Sequence, residues 1–183
     1  MSPSTVTAER ATYLNVGHSL RTWLLSVDHQ RSGVLYLITI TLFFAIGGFA
    51  ATLVRLELLT PPSDLVVPDT YNRLFSIHGI VMVWFFLVPS IPTTLGNFLV
   101  PMMVGAKDMA FPRLNLASWY LFTIGGLITL AALILGGVDT GWTFYTPYST
   151  AFAGSRVLLV VAGIFIAGFG TILTAVNIIA TTH

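Results

Sequence analysis

Of the 183 residues in this chain, 55% are hydrophobic and only 8% charged, whereas soluble domains carry about a quarter of charged residues; with a mean hydropathy of +0.87 the chain reads as a membrane protein. A net charge of +1 without a basic run excludes nucleic acid as a partner class. The absence of cysteine excludes disulfides, iron–sulfur ligation and thiolate catalysis within the chain.

Residues 1–32 are polar and broken by charges, without the apolar core and cleavage site of a signal peptide. They are predicted to form a cytoplasmic or interfacial leader. Trp23, Leu24, Leu25 and Val27 lie beside Arg21, Asp28, His29 and Arg31, which suits docking at a membrane surface. His18 and His29 are read as solvated surface residues. Residues 33–183 are predicted to be an all-α transmembrane domain of four helices, over 33–54, 76–100, 116–136 and 156–180. Each is close to the roughly 20 residues that cross a bilayer, and no period-two alternation suggests a barrel. Pro61, Pro62 and Pro68, then Pro112, then Pro147 punctuate the connections. Arg10, Arg21, Arg31, Lys107 and Arg113 fall on one side, against Arg55, Arg73 and Arg156 on the other. The positive-inside rule then places both termini and the 101–115 loop in the cytoplasm.

The first helix ends at Arg55, either a snorkelling anchor at the lipid boundary or a guanidinium that hydrogen-bonds a cofactor. His78 enters the second helix and is expected at the same membrane level as Arg55. An ionisable side chain inside a membrane span points to function. A neutral imidazole can ligate haem iron, and Gly79 beside it would admit a flat ligand. The alternative is a histidine bonded to a neighbouring carbonyl. His18, His29 and His183 all fall at the opposite end, so none can face His78 across a haem. Trp84, Phe85 and Phe86 are read as packing residues, and Pro89 and Pro92 as breaking or bending the helix.

From His78 to Asn97 is 19 residues, roughly 28 Å at helical rise, so one span joins His78 to the loop that carries Lys107, Asp108 and Arg113. Asp108 is either ion-paired at the surface or a proton collector. Asn97, Asn115, Ser118 and Asn177 share its depth and either join helices or hold a file of water. Beyond the third helix, Trp142, Tyr145 and Tyr148 suit the headgroup level. In the fourth, Gly163, Ala167 and Gly170 permit close packing between neighbouring helices.

RLEL at 55–58, YN…HGIVM at 71–82, GN…VP…GAKDMAFPRLN at 96–115, GGVDTGWTFYTPYS at 136–149 and TAVNIIAT at 174–181 closely resemble subunit I of the haem–copper cytochrome c oxidases, of bacterial type. The resemblance runs from Asp28 onward. It implies that His78 is an axial ligand of low-spin haem a, that Arg55 bonds the haem's formyl group, and that Trp142 lies near the haems on the outer side. It implies that Asp108 is the cytoplasmic mouth of a proton channel lined by Asn97, Asn115 and Asn177, with Tyr36 and Ser118. Glu57 matches a position near an outer cation site. Two departures are Gly170 and Thr171, where relatives often carry paired serines, and Lys107, where proline or arginine is more usual.

The family's subunit has twelve helices. The copper ligands, the proximal ligand of the oxygen-reducing haem and the second ligand of haem a come later in it. The expectation is therefore a fragment or split product, working with the rest of subunit I, a copper-bearing subunit II, subunit III and cytochrome c or another donor, in a bacterial inner membrane. A non-enzymatic membrane assembly module is the alternative. A small cytochrome b-like quinone enzyme would need a second histidine opposite His78.

Overall fold

The computed structural model describes residues 19–59, 61 and 65–183; Arg10, His18, Pro62 and Asp64 lie outside the described residues. Among the described residues every regular element is helical: α1 (Leu20–Leu24), α2 (His29–Glu57), α3 (Pro68–Ile80), α4 (Gly96–Val104), α5 (Pro112–Ile134) and α6 (Arg156–Thr182). Winding continues between α3 and α4 as π-helical turns, Val81–Leu87 and Ser90–Leu95. The second span is thus one 37-residue stretch, Pro68–Val104, and four stretches are long and apolar enough to cross a membrane.

Caps and prolines set the boundaries. The Asp28 carboxylate accepts the Gln30 N–H at 2.7 Å, so α2 begins at His29, four residues before the apolar run and inside the stretch read as leader. The second span starts two turns earlier than hydropathy suggests. Val67 is extended, Pro68 takes the first helical position and Asp69 the first turn, all favourable at a helix N-terminus. At the far end α4 stops at Gly105, whose φ of 72° is left-handed and costs glycine little.

Pro89 and Pro92 do not break the second span. Each lacks a backbone donor, and the wide winding around them is one way a helix absorbs that loss. Two hydroxyls take up local carbonyls: Ser90 donates to Leu87 O at 2.9 Å and Thr93 to Pro89 O at 2.6 Å.

The core lies where α2, the second span and α5 meet. Tyr36, Phe43, Phe85 and Phe122 are buried, with ring centroids 5.1–6.0 Å apart, the tilted and edge contacts that aromatic rings prefer. Phe85 is in this cluster and Phe86 packs on Phe44 at 4.7 Å, as the packing reading expects. The small residues of α6 meet α5 closely. A Cβ at Gly163 would fall on Thr129 Oγ1 and within 2.6 Å of Gly125 O; one at Gly170 would lie 2.7 Å from Ser118 O. Gly163→Val is therefore expected to destabilise the bundle by about 1–3 kcal/mol through overpacking. Gly168 faces open space, so Gly168→Ala is the control. Thermal unfolding in detergent checks the pair: equal midpoints would remove the close-packing argument.

Candidate functional site

Two polar sites lie towards opposite ends of the second span. At the first, His78 is half-buried on α3, ten residues in from Pro68. Its Nδ1 lies 3.0 Å from Gly47 O. A carbonyl can only accept, so Nδ1 is the donor in this contact, and in the neutral ring Nε2 is then the nitrogen with the lone pair. Nε2 has no protein partner among the described residues. Metal-bound histidines are commonly oriented this way, one ring nitrogen donating to a carbonyl while the other faces the metal. The carbonyl bond expected as an alternative to ligation is therefore compatible with it. Among the described residues no group of three or more His, Asp or Glu side chains could hold a metal ion.

The neighbours of His78 differ from expectation in two respects. Arg55 is not at its level. His78 meets α2 at Gly47, eight residues before Arg55, about 12 Å along the helix, because α3 starts two turns early and carries His78 deeper. Arg55 is exposed on the last turn of α2 and has no side-chain partner among the described residues. Gly79 admits a side chain of this same chain: a Cβ there would lie 3.0 Å from Trp142 Cβ and Cδ1. Trp142 thus rests on the turn that holds His78, and its carbonyl accepts the Trp84 indole N–H at 3.4 Å. In the loop after α5, Asp139 accepts the Tyr148 hydroxyl at 2.7 Å, which pushes that phenol above its ordinary pKa. Glu57 is buried and accepts the Val66 N–H at 2.9 Å, tying the end of α2 to the segment that enters α3.

At the second site, the Asp108 carboxylate accepts the Met109 N–H at 2.7 Å and faces His29 Nδ1 at 2.9 Å. Lys107 and Arg113 form no ion pair with it among the described residues. His29 is 8% exposed, so the solvated-surface reading is overturned: the Asp28 cap places His29 on the first turn of α2, under the Asp108 loop. Sequence reasoning missed this residue, although an aspartate before the apolar run signals a helix start.

Asn97, Asn115, Asn177, Ser118 and Tyr36 are all fully buried. Asn115 Nδ2 donates to Asn97 Oδ1 at 2.5 Å, and Asn97 Nδ2 donates to Thr93 O. The Tyr36 hydroxyl donates to Ser118 Oγ at 2.9 Å, and Ser118 donates to Asn115 O at 2.6 Å. Four of the five thus form one connected network across α2, the second span and α5. Asn177 stands apart from it, bonded to the backbone of Phe111. Ser32 Oγ and Asn115 Oδ1 are buried without a hydrogen-bond partner among the described residues; such atoms are ones that internal water satisfies.

Residues 31–183 match the family model described as cytochrome c and quinol oxidase polypeptide I. The chain is 41% identical over 156 residues to cytochrome c oxidase subunit 1 of Thermostichus vulcanus, covering 85% of this chain and 28% of that protein. It is 38% identical over 181 residues to cytochrome c oxidase subunit 1 of Synechocystis sp., covering 97% and 32%. Against a probable quinol oxidase subunit 1 of Staphylococcus aureus it is 40% identical over 161 residues, covering 87% and 24%. The chain thus spans about a third or less of the length of these relatives.

Proposed function

The chain belongs to the cytochrome c and quinol oxidase polypeptide I family, and from that premise we propose that it forms the part of a terminal-oxidase catalytic subunit that holds low-spin haem a and opens a proton path. The observation that carries this reading is the His78 imidazole, fixed through Nδ1 by Gly47 O with Nε2 left to ligate. Bound there, the haem supplies reversible one-electron chemistry. The residues of this chain orient the ligand: α2 fixes the ring and Trp142 packs on the adjoining turn. Arg55, with no carboxylate partner among the described residues, would donate to a polar substituent of the haem such as its formyl group.

At the other site Asp108 takes protons from the aqueous phase, with His29 beside it. The connected amides and hydroxyls of Asn97, Asn115, Ser118 and Tyr36 hold water leading inward, and Ser32 Oγ and Asn115 Oδ1, buried without a partner among the described residues, support that role. Asn177 belongs to the same end. The rest of subunit I supplies the second ligand of haem a and the haem–copper oxygen site. Subunits II and III complete the complex, in a bacterial inner membrane with the Asp108 loop in the cytoplasm.

The test is the assembled complex in sealed vesicles, given oxygen with either reduced cytochrome c or a quinol. Oxygen uptake with one donor, haem in the complex and proton uptake from the Asp108 side are the expected results. A complex free of haem would instead make the chain an assembly module. Arg55→Met is expected to shift the low-spin haem band in absorbance spectra; an unmoved band would make Arg55 a membrane anchor.

A further inference from the structure

We propose that Asn177 and Thr181 on α6 clamp the backbone of the 109–111 loop and thereby position Asp108; the inference rests on the proton-path reading. Asn177 spends both ends of its amide on one residue. The Phe111 N–H donates to Asn177 Oδ1 at 2.8 Å, and Asn177 Nδ2 donates back to Phe111 O at 3.1 Å. One turn further on, Thr181 Oγ1 accepts the Ala110 N–H at 3.0 Å and donates to Asn177 O at 2.6 Å. Positions 177 and 181 share a helix face, so two consecutive loop amides are held by one rigid element.

The loop needs such a hold. Phe111 occupies the N-cap position of α5 without a side-chain cap, and Pro112 follows. Asp108 lies only two residues before the first clamped amide, and on its other side it meets His29. Asp108 is thus set between two helices, α2 through His29 and α6 through the clamp. Asn177 and Thr181 are positioning residues. They act on Asp108 through the loop, while the water-holding role stays with the Asn97–Asn115 network.

The experiment uses the full-length subunit in its complex. Thr181→Val removes the acceptor of the Ala110 N–H, and Thr181→Ser restores it. Thr182→Val is the control, because among the described residues the Thr182 hydroxyl bonds only Ile178 O and Ile179 O of its own helix. In Thr181→Val, hydrogen exchange at Ala110 is expected to quicken about two- to tenfold, as for the loss of one hydrogen bond. Proton uptake is expected to slow about tenfold from misplacement of the acceptor, with Thr181→Ser close to wild type in both. Unchanged exchange at Ala110 would overturn the clamp. Faster exchange with wild-type proton uptake, or equal slowing in Thr182→Val, would overturn the positioning role. The exchange measurement does not depend on proton conduction, so a failure of the proton path itself, read from Asp108→Asn, is distinguishable.

Discussion

In the assembled complex, His78→Ala is expected to remove the low-spin haem absorption almost completely. Deleting the imidazole leaves Gly47 O without the Nδ1 donor at 3.0 Å, a loss of about 1 kcal/mol. That is small beside a core in which Tyr36, Phe43, Phe85 and Phe122 are all buried. Removing an axial ligand is a larger perturbation: even disturbing the group that orients a metal-bound histidine costs about 10–100-fold in affinity. The variant should therefore assemble and lack only the low-spin haem. Haem extraction and the visible spectrum measure this directly. A wild-type spectrum would show that His78 only holds α3 against α2.

Asp108→Asn is expected to slow proton uptake by at least about a hundredfold, the lower range for losing a positioned acid–base group, while haem content stays at the wild-type level. Asparagine suits this test because its oxygen can still accept hydrogen bonds from the Met109 N–H and from a His29 Nδ1–H, the two side-chain contacts that Asp108 makes among the described residues. The loop keeps its shape and loses only the carboxylate. Proton uptake followed with a pH dye in vesicles separates the outcomes. A wild-type rate would remove Asp108 from the path, and lost haem would show that the carboxylate supports the fold instead.

The spans were legible in the sequence because hydropathy accumulates along one chain, and α6 begins where it was expected, at Arg156. The early start of the second span was less visible. Residues 68–75 are too polar to register as membrane helix, yet Pro68 and Asp69 are helix-start signals. The π-helical turns were not legible, since a proline shows that a donor is missing and not how the winding absorbs the loss.

Among the site residues, His78, Asp108, Asn97 and Asn115 stood out because each is a polar group within or next to an apolar run, where its cost demands an explanation. His29 did not, because it sits in a polar leader where a histidine needs no explanation. Thr181 escaped for a related reason: a threonine near a helix end is ordinary until the element facing it is known.

By itself, the sequence determined that four helices cross a membrane, that one carries a histidine and that the loop after it carries an aspartate. Those features follow from residue types and their spacing along a single helix. Only the tertiary structure decided that His78 meets Gly47 and not the level of Arg55, that His29 faces Asp108, and that Asn177 holds Phe111 while Asn97 and Asn115 bond each other. These pairings depend on how far each helix is shifted and rotated against its neighbour, and close packing between elements, not periodicity within one, sets that.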